Sequence, residues 1–245
     1  MIKNINKKGS HVGVVVSFVI FITFLIFLYS ILQPVTFRER NKDYILDYLT
    51  LNIIRNSTGN MTTMIINVDE LVTKDCINIQ QLSLSEIPIE FRDNLMFKTD
   101  TESLNYKLQN INTIYVEVPE GGFIGIITVY FSEEIVPRFD NTLGGCDPNP
   151  YPVGYVRTFS EIFGTKITEL NETYYADYEG LKAYLGLPEG TEFNFYLLSG
   201  TREVLISAEI QETPTDRSVY VEETPIQYAD DDGNILFGFL VVKVW

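Results

Sequence analysis

Histidine and cysteine, the side chains that most often carry covalent or metal chemistry, are scarce in this chain of 245 residues. The single histidine, His11, lies in a basic segment near the N-terminus. The remaining sequence therefore offers no Ser-His-Asp or Cys-His combination and no histidine ligand for zinc. The acidic pairs Glu133–Glu134 and Glu222–Glu223 are adjacent in sequence, and adjacent side chains on a strand point to opposite faces. We predict no catalytic residue, no metal site and no cofactor, because a carboxylate-based hydrolase would need two acids that converge in a cleft.

One acidic segment has the spacing with which a calcium-binding loop begins. Asp230, Asp232 and Asn234 alternate along the chain. A calcium loop has glycine at its sixth position and glutamate at its twelfth, whereas here Gly233 is fourth and Val241 is twelfth. The alternation of apolar residues on both sides, over 219–228 and 235–244, favours a β-hairpin with a glycine-containing turn instead.

The chain has two cysteines, Cys76 and Cys146. In an oxidising environment they would form a disulfide; the alternative is two buried free thiols. Of the two we favour the disulfide, which would close a long loop and stabilise the fold by roughly 4 kcal/mol in the chain-entropy model.

Three Asn-x-Ser/Thr sequences predict N-glycosylation at Asn56, Asn60 and Asn171. All three follow a long apolar segment, which suits a location outside the cell. Asn171 could instead have a structural role, because Asn171 or Thr173 could cap a predicted helix over residues 174–185 that ends at Gly186.

The apolar segment between residues 12 and 32 contains no charged residue. A helix of about 20 apolar residues spans the hydrocarbon core of a bilayer. We predict a transmembrane helix over residues 12–34, with Pro34 as a kink or boundary. Gly13 and Ser17 form a small-xxx-small pair that would let helices approach closely.

An amphipathic extension of this helix is predicted over residues 35–58. Phe37, Tyr44, Tyr48 and Leu51 recur at helical spacing. Three further apolar residues lie beside them: Ile45, Leu49 and Ile54. This stripe would pack either on the protein's own sheet or against the helices of other subunits, and the spacing is the same in both cases.

Charge divides the chain into two unequal parts. Residues 1–42 carry six basic side chains and one acidic, a net of +5, and residues 43–245 carry 12 basic and 32 acidic, a net of −20. An acidic domain of this strength repels nucleic acid, so we exclude a nucleic-acid partner. Lysines before the apolar segment favour a cytoplasmic N-terminus and a domain outside the membrane.

Beyond the helix the pattern is mainly that of strands, so we predict an α+β fold dominated by antiparallel sheet over residues 59–245. The segment 123–131 is almost continuously apolar and predicts a central strand buried on both faces. The tyrosine-bearing helix over 174–185 would pack on the sheet or, alternatively, present a sugar-binding platform. Glycine and proline between residues 144 and 152 exclude regular structure and place a subdomain boundary or an exposed functional loop near 140–155.

The N-terminal residues Lys7, Lys8, Gly9 and Ser10, followed directly by the apolar helix, resemble the leader of a type IV pilin or an archaeal pilin-like protein. The resemblance covers about the first 50 residues. It implies a basic leader over residues 1–11, cleavage between Gly9 and Ser10, and assembly of like subunits into a filament through their helices. The alternative is a membrane-tethered module that does not polymerise and binds a surface protein or glycan. In both cases the bilayer is a partner.

Overall fold

The structure is a computed structural model that describes residues 10–80, 94–100, 102–110, 113–119, 123–149, 151, 153–209 and 218–245. These residues form three helices and twelve strands. The helices are α1 (Ser10–Asn56), α2 (Gly164–Ala176) and α3 (Tyr178–Tyr184). The strands are β1 (Thr58–Val72), β2 (Cys76–Gln80), β3 (Leu95–Lys98), β4 (Ser103–Leu104), β5 (Tyr106–Asn110), β6 (Thr113–Glu117), β7 (Phe123–Phe131), β8 (Val153–Phe163), β9 (Phe193–Ser199), β10 (Val204–Ala208), β11 (Tyr220–Ala229) and β12 (Ile235–Val244).

Helix α1 is continuous over 47 residues, a length of about 70 Å at 1.5 Å per residue. Pro34 does not end it, so the predicted transmembrane and amphipathic segments are two parts of one helix. The helix ends at Asn56 and β1 begins at Thr58, so α1 leads almost directly into the sheet.

The strands form two sheets. Nine strands follow the order β10-β9-β12-β11-β8-β1-β7-β3-β4, and β2, β6 and β5 form a second sheet. Every pairing among these strands is antiparallel except the short parallel contact between β11 and β8. The predicted α+β class with mainly antiparallel sheet is therefore confirmed.

Two large apolar cores lie one after the other along the molecule. The first core lies between the β1-β7-β3 part of the large sheet and the small sheet, and Ile66, Phe97 and Tyr106 are fully buried in it. The second core lies between the three helices and β9 to β12, and Leu49 and Phe195 are buried in it. Because Tyr151 belongs to the first core and Ile162 packs on the second, the change from one to the other occurs along β8.

The prediction that residues 123–131 are buried on both faces is wrong. In β7 the side chains of Ile127 and Val129 are fully buried, but Ile124 and Ile126 are exposed on the other face. The near-continuous apolar sequence thus marks a half-buried strand whose outer face is exposed at Ile124 and Ile126 and partly covered at Tyr130, which packs against Met61 and Met96.

The single helix predicted over 174–185 is also wrong, because α2 and α3 are two helices separated at Asp177. Asn171 and Thr173 lie inside α2 and cap neither helix. The side chain of Asp177 caps α3 instead, accepting from the N–H of Gly180 at 2.9 Å. Gly186, with φ of +73°, follows the last turn of α3, where the left-handed backbone conformation favours glycine.

Candidate functional site

The first half of α1 is an apolar rod without contacts to the rest of the chain. Val12–Ser30 has a mean hydropathy of 2.8 and none of its residues is buried. Its length and composition suffice to cross a membrane, and a signal sequence would pass the same test. No atom lies within 4 Å of a Cβ placed on Gly13, so this face of the rod is open to another helix. Of the predicted processing site, Ser10 begins α1, while Lys8 and Gly9 lie outside the described residues.

The second half of α1 packs on the second core through one face. Leu46, Leu49 and Ile53 are buried, and the Thr50 hydroxyl donates to the carboxylate of Glu222 on β11 at 2.8 Å. The residues that contact the sheet therefore include Ile45, Leu49 and Ile54, which the sequence predicts beside the stripe, but not Tyr44 or Leu51 of the stripe itself. They fix the direction in which the rod leaves the domain.

The other residues of the predicted stripe lie on a different face of α1 and are largely exposed, except that the side chain of Phe37 lies outside the described part of the structure. Tyr44 is 70% exposed and Leu51 is 66% exposed, while Tyr48 is 40% exposed. The rings of Tyr44 and Tyr48 stack with their centroids 6.3 Å apart. This half of the helix thus has one apolar face that is buried in its own domain and a second that is open.

A cluster of polar side chains holds α3 against β9. The ammonium of Lys182, almost completely buried, lies 3.0 Å from Glu192 and 3.3 Å from Glu179. Burial lowers the pKa of Lys182, but hydrogen bonding and charge from Glu192 outweigh it, so the pKa is raised overall. The Tyr178 hydroxyl donates to the other oxygen of Glu192 at 2.7 Å, and burial raises the pKa of that tyrosine. Each of these polar groups has an ion-pair or hydrogen-bond partner within the cluster. The cluster therefore stabilises the packing of α3 rather than forming an acid–base pair.

Tyr174 and Tyr178, the two tyrosines considered from sequence as a sugar-binding platform, pack against β9. Tyr174 is buried, and its hydroxyl donates to the Phe193 carbonyl at 2.9 Å and to the Asn194 side chain at 2.7 Å. The Tyr178 ring stacks on Phe193 with centroids 5.6 Å apart. These rings pack the helices on the sheet.

The three predicted glycosylation sites differ in geometry. The Asn56 amide donates to the Asn52 carbonyl at 2.8 Å and accepts from the Tyr184 hydroxyl at 2.6 Å. The side-chain oxygen of Asn171, inside α2, is buried. Asn60 is exposed on β1, and its oxygen accepts from Ser160 at 3.2 Å. Only Asn60 presents an exposed amide to an enzyme.

We expect glycan at Asn60 and much lower occupancy at Asn56 and Asn171, because both of these residues are half-buried and the Asn56 amide is already hydrogen-bonded. Peptide mass spectrometry of protein from its native membrane measures the occupancy. Asn60→Gln should remove most of the glycan mass and Asn171→Gln almost none. Full occupancy at Asn171 together with an empty Asn60 would contradict this assignment.

Cys76 and Cys146 form a disulfide with Cα atoms 4.7 Å apart. It joins the start of β2 to the glycine- and proline-rich loop. The Lys74 ammonium donates to the carbonyls of Gly145 and Cys146, at 3.1 and 3.3 Å, and Asp147 hydrogen-bonds with the β2 backbone. The described part of this loop is therefore fixed to the small sheet, while residues 150 and 152 lie outside the described ranges.

The acidic turn is the predicted hairpin turn between β11 and β12. Asp230 accepts from the backbone N–H of Asn234 at 2.7 Å, and Asp232 pairs with Arg138 at 2.5 Å. The Lys98 ammonium donates to the side-chain oxygen of Asn234. Within the described ranges, no three His, Cys, Asp or Glu side chains are grouped so that they could hold a metal ion.

Comparison with protein-family models, curated protein sequences and solved structures finds no match for this chain.

Proposed function

We propose that this chain is a membrane-anchored cell-surface protein, and specifically a pilin-like structural subunit or minor pilin. The observation that supports it is helix α1, whose apolar first half makes no contact with the domain and whose second half is fixed to it. A rod of this composition needs either lipid or other apolar helices around it, because water penalises a fully exposed apolar surface of this size.

The open face of α1 supports the filament part of the proposal. In a single tethered domain, Tyr44, Tyr48 and Leu51 would stay in water just beyond the membrane. In a bundle of α1 helices the same residues would continue the apolar contact beyond the bilayer. The basic leader before the helix resembles that of pilins, and the acidic domain would then be displayed outside.

The experiment is a comparison of two fractions from native cells. Mechanical shearing releases surface filaments, and detergent extracts proteins held individually in the membrane. If the chain is a filament subunit, we expect a substantial share of it in the sheared fraction as high-mass assemblies that contain the intact α1. A chain found only in the detergent extract as a monomer would contradict polymerisation.

A second candidate function is a tethered binding module that does not polymerise. The observation that favours it is the exposed apolar face of the first core's sheet, where Ile124, Ile126 and Tyr155 are 59%, 51% and 70% exposed. Apolar residues grouped on a surface mark interaction sites. This function predicts detergent-extracted monomers that retain a partner through the sheet face rather than through α1.

A further inference from the structure

Strand β8 has a long open edge. It pairs with β1 from Thr58↔Ile162 to Ile66↔Val153, but on its other side β11 contacts only Ile162 and Phe163. Residues 154–158 and Ser160 are exposed. The nine-stranded sheet is therefore forked at β8, and most of this strand lacks a neighbour on one side in the described structure.

The alternation of antiparallel pairing identifies the backbone groups at this edge. The N–H of Phe163 donates to the Ser57 carbonyl at 2.8 Å, so the odd-numbered residues of the strand turn their hydrogen-bonding groups toward β1. The even-numbered residues Val156, Thr158 and Ser160 consequently turn theirs away from β1. Their three N–H and three C=O groups form a regular row that can accept another strand.

The other edges of the large sheet carry features that obstruct strand addition. On β10 the Tyr175 hydroxyl donates to the Ser207 carbonyl at 2.8 Å and accepts from the N–H of Glu209 at 3.2 Å. Strand β11 contains Pro225, which has no N–H, and β4 has two residues. Short strands, proline and side-chain capping are the usual means of protecting an edge.

The small sheet is covered at both edges by described loops. Beside β2, the N–H of Asn78 donates to the Asp147 carbonyl at 2.9 Å. Beside β5, the N–H of Tyr106 donates to the Arg138 carbonyl at 3.0 Å, and its carbonyl accepts from Asp140 at 2.9 Å. β8 differs from these strands because neither a loop nor a capping side chain covers its outer groups among the described residues.

We propose that the open edge of β8 binds β8 of a second copy of this chain, as an antiparallel pair with a two-fold axis at Thr158. This register places Thr158 opposite Thr158 and Val156 opposite Ser160 of the second copy, giving about six hydrogen bonds. Ile162 and Phe163 stay paired with β11, so the second strand leaves the edge beyond Val156, where β8 already changes register against β1.

The side chains of β8 complement one another in this register. Arg157 lies opposite Phe159 of the second copy, which preserves the type of cation–π contact that Arg157 already makes with its own Phe159 at 5.6 Å. Glu161 and Arg157 of the second copy lie on the two diagonals from Arg157, so attraction and repulsion between these charges offset each other. The Arg157–Phe159 contact, made twice across the two-fold axis, and the self-complementary row of backbone groups are what select a second β8 as the occupant.

The pairing has a geometric consequence. β8 runs antiparallel to β1, which leads directly away from α1, so β8 runs toward the α1 end of the molecule. Two antiparallel β8 strands consequently place the two α1 helices at opposite ends. Given membrane insertion of α1, the contact joins chains that project from opposing surfaces or from antiparallel filaments, not neighbours in one membrane. The strand contact itself does not depend on whether the chain polymerises.

The test uses cysteine cross-linking of the unglycosylated full chain in detergent micelles. Both native cysteines are held in the disulfide, so an added cysteine is the single free thiol. In the proposed pair, the two Cα atoms at position 158 would be about 5.5 Å apart, within disulfide range. The two at position 160 would be about 14 Å apart, because four residues separate them along the strands. Thr158→Cys and Ser160→Cys are thus matched variants on one exposed strand.

We expect at least tenfold more oxidised dimer for Thr158→Cys than for Ser160→Cys, and a heterodimer when Val156→Cys is mixed with Ser160→Cys. Thr158→Lys should weaken association of the otherwise unaltered chain at least tenfold in sedimentation, with its melting temperature kept, because two ammonium groups would face each other. Equal cross-linking at 158 and 160 would overturn the register. A chain that stays monomeric and cross-links at neither position would overturn self-pairing and leave a strand from a different protein as the occupant.

Discussion

Replacing Leu49 by alanine is expected to lower the free energy of unfolding by about 2 to 5 kcal/mol, the range for deleting a fully buried leucine side chain. Leu49 is completely buried between α1 and the C-terminal strands, so its truncation leaves a cavity at the junction between anchor and domain. Urea denaturation of the full chain in detergent, followed by tryptophan fluorescence, measures the change, because the single tryptophan, Trp245, is buried beside β12.

Leu51→Ala is the matched control, since it makes the same substitution two residues along the same helix. Leu51 is 66% exposed, so we expect a change within about 0.5 kcal/mol. The two variants also separate folding from assembly. Leu51→Ala should reduce the sheared filament fraction of a pilin-like subunit without loss of stability. Equal destabilisation by both variants would show that α1 is not packed through the face described.

Breaking the disulfide is expected to lower the free energy of unfolding by about 4 kcal/mol, because the bridge spans a sequence separation of 70 residues and restricts the unfolded chain. The bridged loop contains strands β3 to β7, which supply most of the first core. Loss of the bridge should therefore affect the first core more than the second. The double variant Cys76→Ser, Cys146→Ser avoids a free thiol that could form other bonds.

Hydrogen exchange followed by mass spectrometry locates this effect. We expect faster exchange in β2 and β6 of the double variant, and unchanged exchange in β9 and β12. Reductant should reproduce the effect in the unaltered chain and have none on the variant. Exchange that rises equally in both cores would contradict their separate stabilisation, and unchanged stability would show that the loop is held by its backbone contacts to β2.

The sequence predicts the elements whose signal is local. Helix α1 follows from uninterrupted hydropathy, and the β11–β12 hairpin follows from alternation around Gly233, whose φ of +68° suits glycine in a turn. With two cysteines only one pairing is possible, so the sequence predicts the partners of the disulfide, whereas free thiols remain an alternative until the structure places the two Cα atoms 4.7 Å apart.

Features that depend on a distant neighbour are not predictable in this way. The apolar run of β7 does not reveal that Ile124 and Ile126 face outward, because burial depends on what covers the sheet. The helical spacing places both Leu51 and Leu49 on the apolar side of the predicted extension, but it does not reveal that the sheet contacts Leu49 and leaves Leu51 exposed.

The open edge of β8 leaves no signal in its own sequence. Its residues would suit an interior strand equally well, and only the fork between β8 and β11 makes the edge accessible. In the tyrosine-bearing helices, the Asp177 cap is detectable from sequence, because aspartate is a favoured N-cap residue. The apolar periodicity continues across Asp177, however, and therefore predicts one helix instead of two.

The most direct measurement is the intact mass, with N-terminal sequencing, of the protein purified from its native membrane. If α1 is the proposed membrane anchor, the mature chain must contain Val12–Ser30. A start at Ser10 is the predicted result, and it would show cleavage of the leader at the pilin-like site. A chain that begins beyond Ser30 would show that the apolar segment is a removed signal sequence, and would contradict the anchor and the filament together.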